Sequence, residues 1–224
     1  MKLAIVTAIF GDSHTRLSKL SVPIMRQYAS QLGADLVLLE DRRFHDRSPH
    51  WEKMRIREVL DIYDRIAWID IDIIIHPKAP SIFDACPIGC FGAFDEGKVF
   101  VDRVDDLGRE ASFYGIPLQP TRLFTYFNSG VMVADKSHAR IFVQPTRTMP
   151  NSPMHDQTYL NLQLQATDSN FVDLTSKWNG LHSIHGENDR KKLYTVHYAG
   201  WPKTFDWVEK VIAQMKVDLI NWTA

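Results

Sequence analysis

The sequence predicts an α/β fold with a mostly parallel central sheet and helices on both faces, in one domain spanning residues 1–224. Three observations predict it. Short β-branched runs alternate with segments of helical spacing along the first third of the chain, the rhythm of a doubly wound sheet. The run RIAWIDIDIIIHP (65–77) reads as a buried strand, carrying Ile66, Trp68, Ile69, Ile71, Ile73, Ile74 and Ile75. The composition, 45% hydrophobic and 24% charged, is that of an ordinary globular protein whose 224 residues can bury a sizeable core.

KLAIVTAI (2–9) is β-branched and bounded by Gly11 and Asp12, so it predicts the first strand. Leu17, Leu20, Ile24, Met25, Tyr28 and Leu32 recur at helical spacing, and Gly33 closes that helix. ADLVLLE (34–40) predicts a second strand, and the polar, basic DRRFHDRSPH (41–50) a loop. WEKMRIREVLDIY (51–63) predicts a helix through Met54, Ile56, Val59, Leu60 and Tyr63, followed by the 65–77 strand. Beyond it, CFGAFD (90–95) and YFNSGVMVA (126–134) predict strands, separated by a long excursion over the sheet rich in glycine and proline (96–125). Met154 to Leu164 predicts a helix, YTVHYAG (194–200) a short strand, and Lys203 to Trp222 an amphipathic helix whose stripe packs on the sheet.

Several function classes fall away. A net charge of −1 gives no reason to expect nucleic-acid binding. Cys86 and Cys90 in CPIGC lack zinc-ribbon spacing and a second pair, so two reduced thiols are expected. No apolar run reaches the length of a membrane span, and the N-terminal one is too short for a signal, so a cytoplasmic location is expected, with peripheral membrane contact left open.

The 65–77 run holds a contradiction, because Asp70 and Asp72 lie in its middle. Burying an ionised carboxylate costs several kcal/mol unless a cation meets it. On a strand, residues two apart share a face, so the two would project together at the strand's carboxyl end, where open α/β sheets bind ligands. Adjacent carboxylates repel; a divalent cation binding both removes the repulsion and leaves room for phosphate oxygens. A D-x-D pair can also be a solvated turn, but the apolar flanks count against that.

RIAWIDIDIIIHPKAPSIFD resembles the metal-site strand of glycosyltransferases with the type-A (nucleotide-diphospho-sugar transferase) fold, most closely the retaining enzymes of families 8 and 34. YFNSGVMV (126–133), HDQTYLN (155–161) and HYAGWPK (197–203) are similar, in order, to their F-N-[SA]-G-V strand, D-Q-x-x-[LF]-N helix start and H-x-x-G-x-x-K close. The resemblance implies a metal-dependent transferase moving a hexose from a nucleoside-diphosphate sugar, with UDP favoured, to a glycan, glycolipid or protein acceptor.

By matching motif, Asp72 binds the ion, Asp70 binds it and touches the ribose, and His197 is the third ligand. Two carboxylates and an imidazole suit Mn²⁺ or Mg²⁺, and the imidazole tilts toward Mn²⁺. Lys203 reaches the diphosphate, and Gly200 lets the backbone approach it. Lys53 contacts the donor, with Arg55 the alternative. Asn128 and Ser129 stand in an otherwise apolar strand, where an amide needs partners such as sugar hydroxyls. Asp156 opens a helix, where it is either a cap or, as the resemblance implies, a hydrogen-bond partner of the transferred sugar. The resemblance also places Gln157 near the reacting face of the anomeric carbon; since glutamine is a poor nucleophile, what the resemblance implies is front-face attack with retention.

The chain departs from the pattern at Thr7 and Ala8, where family 8 carries a T-D pair that helps hold the nucleotide, and in its K-T-F close. Trp178 and Trp201 are candidates for an acceptor platform or for core packing. Acceptor specificity is expected in the loops 96–125 and 174–191. A nucleotidyltransferase is the alternative enzyme, but AIFGDSHTR lacks a glycine-rich phosphate loop. A non-catalytic nucleotide-binding member is the other, against which both aspartates, His197 and Lys203 speak.

Overall fold

The computed structural model describes residues 1–120, 125–152, 154, 156–200, 204 and 206–223. The chain opens with β1 (Leu3–Ala8), α1 (Gly11–Gln31), β2 (Asp35–Leu39), a 3₁₀ segment (Pro49–Arg55) running into α2 (Ile56–Ile62), and β3 (Arg65–Ile69). It continues through β4 (Ile73–Ile75), α3 (Ile82–Ala85), β5 (Cys90–Asp95), α4 (Arg103–Tyr114) and β6 (Phe127–Asp135). Then come α5 (Asp156–Ala166), β7 (Asn170–Asp173), α6 (Thr175–Trp178), β8 (Gly180–Leu181), α7 (Glu187–Arg190), β9 (Thr195–His197) and α8 (Trp207–Thr223).

Six strands form one mostly parallel sheet in the order β2-β1-β3-β6-β5-β7. Alternation along the central strands splits their side chains between two cores. Ala4, Val6, Ile66, Trp68, Met132 and Ala134 face the layer holding α2 and α5, with Trp51, Leu60 and Leu160. Ile5, Ala67, Ile69, Val131 and Val133 face the layer of α1, with Met25, Tyr28 and Ala29. Helices thus cover both faces, which is why β1 and β3 are buried along nearly their whole length and are mostly apolar.

β6 departs from the parallel expectation, pairing antiparallel with both β3 and β5. The excursion after β5 leaves and returns at one edge, since Asp95 pairs with Phe127. A chain returning at the edge it left must run back the other way. The first residues of β6 therefore lie beside the carboxyl end of β3.

The 65–77 run is not one strand. It leaves the large sheet after Ile69, turns through Asp70, Ile71 and Asp72, and enters a second sheet at Ile73. That three-stranded sheet has the order β4-β9-β8, with Ile73 opposite His197 and Leu181 beside it. The aspartates therefore occupy a hinge between sheets, not a common strand face. Backbone hydrogen bonds hold the hinge: Asp70 N–H donates to Gly130 O at 2.8 Å, Ile73 N–H to Asp70 O at 3.2 Å, and Tyr198 N–H to Asp72 O at 3.0 Å.

Smaller departures follow from local chemistry. Helix α1 begins at Gly11, six residues before its apolar stripe, because its first turn is polar and exposed, and it runs through Pro23. Residues 49–55 form a 3₁₀ segment that is buried from Trp51 to Arg55. Helix α8 starts at Trp207 rather than 203. Strands β7 and β8, four and two residues long, were too short to carry a periodic signal.

Helix α8 reaches the small sheet through a buried ion pair. Asp218 accepts from Arg190 Nε at 2.9 Å and Nη2 at 3.1 Å, and from Tyr198 Oη at 2.7 Å. Tyr198 directly follows His197, so this pair braces the strand carrying the histidine. Asp218→Ala leaves a buried guanidinium without its counterion and is expected to cost about 3–5 kcal/mol, read as a lowered urea midpoint. Asp218→Leu combined with Arg190→Met, which removes both charges, is expected to recover most of that loss.

Candidate active site

The turn at Asp70–Asp72, the start of β6, the first turn of α5 and the end of β9 meet around a cleft of about 690 Å³. Its lining includes Ala8, Lys53, Asp70, Asp72, Asn128, Ser129, Asp156, Gln157, His197 and Gly200. Ten predicted site residues from distant parts of the chain thus share one wall. Thr7 is different: it is fully buried, does not line the cleft, and its hydroxyl has no hydrogen-bond partner among the described residues. Lys203 and Trp201 lie outside the described residues. Trp178 is core, buried with Ile75 and Leu174 and packed against Tyr194 at 4.9 Å, so it platforms nothing.

Asp70, Asp72 and His197 each offer one ligand atom, and those atoms lie within 4.8 Å of one another. His197 Nε2 is 3.4 Å from Asp72 Oδ1 and 4.0 Å from Asp70 Oδ2. Asp70 is further held by Trp68 Nε1–H, donating to Oδ1 at 2.6 Å, and by Lys53 Nζ, donating to Oδ2 at 3.0 Å. Lys53 also donates to Ser129 Oγ at 2.9 Å and stands 3.7 Å from Asp156 Oδ2. This buried lysine, not Arg55, faces the aspartates; Arg55 turns away to Asp41 and Glu52.

Electrostatics here follow from burial and close charge. Burial alone would lift the Asp72 carboxyl, but the His197 ring beside it outweighs that and holds it at about 2. Burial would likewise depress His197, yet Asp72 and then Asp70 raise it above the ordinary imidazole value. Lys53 follows the same pattern: burial lowers it, and Asp70 and Asp156 more than reverse that.

The amides are held by protein groups. Asn128 Nδ2–H donates to Glu96 Oε2 at 2.6 Å, and Asn128 Oδ1 accepts from Gly130 N–H at 2.9 Å and Asn179 Nδ2–H at 2.8 Å. Asn128 thus has Glu96, Gly130 and Asn179 as partners within the protein, and it also lines the cleft. Gln157 Nε2–H donates to Glu96 Oε1 at 2.9 Å, and Gln157 Oε1 accepts from Ser129 N–H at 2.9 Å. Asp156 is no plain helix cap, since its carboxylate accepts from Ser129 Oγ at 3.3 Å beside Lys53.

Sequence reasoning missed Glu96, Asn179 and Arg103. Glu96 is buried at the end of β5 with Arg103 Nε 3.3 Å away, and Asn179 is fully buried between α6 and β8. The only sequence signal for either is a polar residue next to glycine, in D-E-G and W-N-G, which reads as a turn. Both expected acceptor loops reach the cleft, 96–125 through Glu96, Phe100 and Arg103 and 174–191 through Leu181 and Ser183.

No family model matches the chain, and no curated protein sequence matches it at a significant level. Solved structures do. A glycosyltransferase involved in glycosylation of the major capsid of PBCV-1 is similar over 97% of this chain and 100% of its own, with a TM-score of 0.66 at 14% identity. Galactosyltransferase LgtC, in complex with donor and acceptor sugar analogues, is similar over 96% of this chain and 95% of its own (TM-score 0.54, 14% identity). Mouse xyloside xylosyltransferase 1 is similar over 89% and 98% (TM-score 0.51, 13% identity). At such identities the likeness is one of fold: the chain has the type-A glycosyltransferase fold that its four motifs imply.

Gly130 makes room for His197. A Cβ at this position would lie 2.2 Å from His197 Cε1 and 2.6 Å from Nδ1. Gly130→Ala must therefore displace the ring. It is expected to cost about 1–3 kcal/mol in urea unfolding, and to shift the His197 ring resonances.

Proposed function

We propose that this protein is a glycosyltransferase that moves a hexose from a nucleoside-diphosphate sugar, preferably a UDP-sugar, to a hydroxyl of a glycan, glycolipid or protein, with retention at the anomeric carbon. The observation that carries this reading is the convergence of Asp70, Asp72 and His197 in one cleft with Asp156 and Gln157. The proposed setting is cytoplasmic. Both cysteines are free, and no helix among the described residues is long and apolar enough to cross a membrane.

The donor set fits a divalent cation. Two carboxylates and one imidazole are a mostly hard set suited to Mn²⁺ or Mg²⁺, and the cluster opens on the cleft, where diphosphate oxygens can complete the coordination. When bound, the ion would stabilise the negative charge that develops on the departing diphosphate.

The chain's own groups do the rest. Lys53, buried between Asp70 and Asp156, keeps both carboxylates paired and so available as acceptors for ribose and sugar hydroxyls. Gln157 is locked at both ends of its amide, by Glu96 and by the Ser129 N–H, which presets its place beside the reacting face. Gly200, with a φ of 73°, sits in the cleft wall in a conformation that favours glycine and lets the diphosphate approach the backbone. Ala8 lines the cleft, and its place at the nucleotide rests on the motif alone. The diphosphate contact of Lys203 rests on the motif alone. In front-face attack the leaving phosphate oxygen takes the acceptor's proton, so no side chain need serve as nucleophile.

Incubation with a panel of nucleotide sugars and Mn²⁺ is expected to give slow hydrolysis of one donor. EDTA is expected to abolish it, and Asp72→Ala to lower it by roughly 10²-fold or more. Failure of every sugar nucleotide to bind in calorimetry with Mn²⁺ present would sink the reading. Product anomers by NMR test retention separately, and inversion would overturn that part alone.

A further inference from the structure

A histidine binds a cation through a bare ring nitrogen, so the tautomer of His197 decides whether it can serve. Neutral imidazole carries one hydrogen, and both ring nitrogens of His197 face oxygens. Nε2 looks toward Asp72 Oδ1 at 3.4 Å, and Nδ1 toward Asn179 Oδ1 at 2.8 Å. If Asp72 wins the hydrogen, it occupies the lone pair that a cation needs.

Two groups of unambiguous character decide the contest from a distance. The Glu96 carboxylate, paired with Arg103, only accepts; the Gly130 backbone N–H only donates. Both bind Asn128, so its Nδ2 must face Glu96 and its Oδ1 must face Gly130. That same Oδ1 meets Asn179, which must therefore present its NH₂. The Asn179 oxygen is left for His197, and an amide oxygen can only accept.

We propose that Asn179 is a positioning residue which, its orientation dictated through Asn128 by Glu96 and the Gly130 N–H, holds the hydrogen of His197 on Nδ1 and keeps Nε2 bare toward Asp70 and Asp72. Asn179 is fully buried and does not line the cleft, so it acts only through the ring. The polar chain runs from Glu96, which also holds Gln157, to the cation ligands. The groove where the sugar would react and the site where a cation would sit thus share one hydrogen-bonded frame. The inference rests on reading Asp70, Asp72 and His197 as cation ligands.

The test begins on the metal-free wild-type protein, ¹⁵N-labelled and held at a pH where the imidazole is neutral. Two-bond ¹H–¹⁵N spectra, with His197 assigned by its loss in His197→Gln, are expected to show the Nδ1–H form. An Nε2–H form or an even mixture overturns the proposal without any variant. Asn179→Leu removes the acceptor and is expected to move the hydrogen toward Nε2. Mn²⁺ affinity in calorimetry should fall about 10–100-fold. Asn179→Asp keeps an acceptor at Nδ1, though its second oxygen forfeits the bond to Asn128 Oδ1, and is expected to keep the hydrogen on Nδ1; a purely packing role for Asn179 would not separate the two variants in this way. An unchanged tautomer in Asn179→Leu also overturns the proposal. Absence of Mn²⁺ binding by wild type would sink the metal reading of the site, while the tautomer measurement still decides this one.

Discussion

Three carboxylates, Asp70, Asp72 and Asp156, crowd one largely buried edge, where Lys53 pairs with Asp70 and Asp156 and the His197 ring stands beside Asp72. Charges held this close out of bulk water cannot be left uncompensated. The structure meets the constraint by drawing partners from other parts of the chain: Lys53 from a 3₁₀ segment, His197 from a strand of the other sheet. The result is a corner in which Asp70, Asp72 and His197 turn one ligand atom each toward a common point.

The break after Ile69 makes that frame possible. Had the 65–77 run stayed in one sheet, its carboxylates would have pointed along a single face with apolar neighbours on either side. By crossing to a second sheet, the chain turns its two acids into a corner. The antiparallel pairing of β4 with β9 then sets His197 opposite Ile73, one residue beyond the turn. The antiparallel run of β6 brings Asn128, Ser129 and Gly130 to the same corner from the other side. Gly130 matters twice, because its carbonyl holds Asp70 and its missing side chain admits the histidine ring.

Around the corner the polar groups are bonded to one another, and few contacts are left to chance. Glu96 ties Asn128 to Gln157, Lys53 ties Asp70 to Ser129 and Asp156, and Asp218 braces Tyr198 from behind. Satisfied buried networks of this kind rigidify a site, since each member loses a partner if another moves. A cleft framed this way suits a reaction in which placement of donor and acceptor, rather than a protein nucleophile, lowers the barrier.

Much of this was legible in the residues. The strands at residues 3–8, 90–95 and 127–135 were legible from their β-branched and apolar residues, and α1 and α8 from apolar spacing, whereas α4 lay unread within the 96–125 excursion; the aspartates stood out because acids in an isoleucine run need a reason. Motif order drew His197, Asp156 and Gln157 to the same place. The direction of β6, the hinge at Asp70–Asp72 and the parts played by Glu96 and Asn179 were not legible, and one physical reason covers all of them. Local sequence encodes which residues are apolar and at what period; it does not encode which edge a long excursion returns to, or which buried amide faces which carboxylate. Those are set by pairing between segments distant in the chain, and only the assembled sheets decide them.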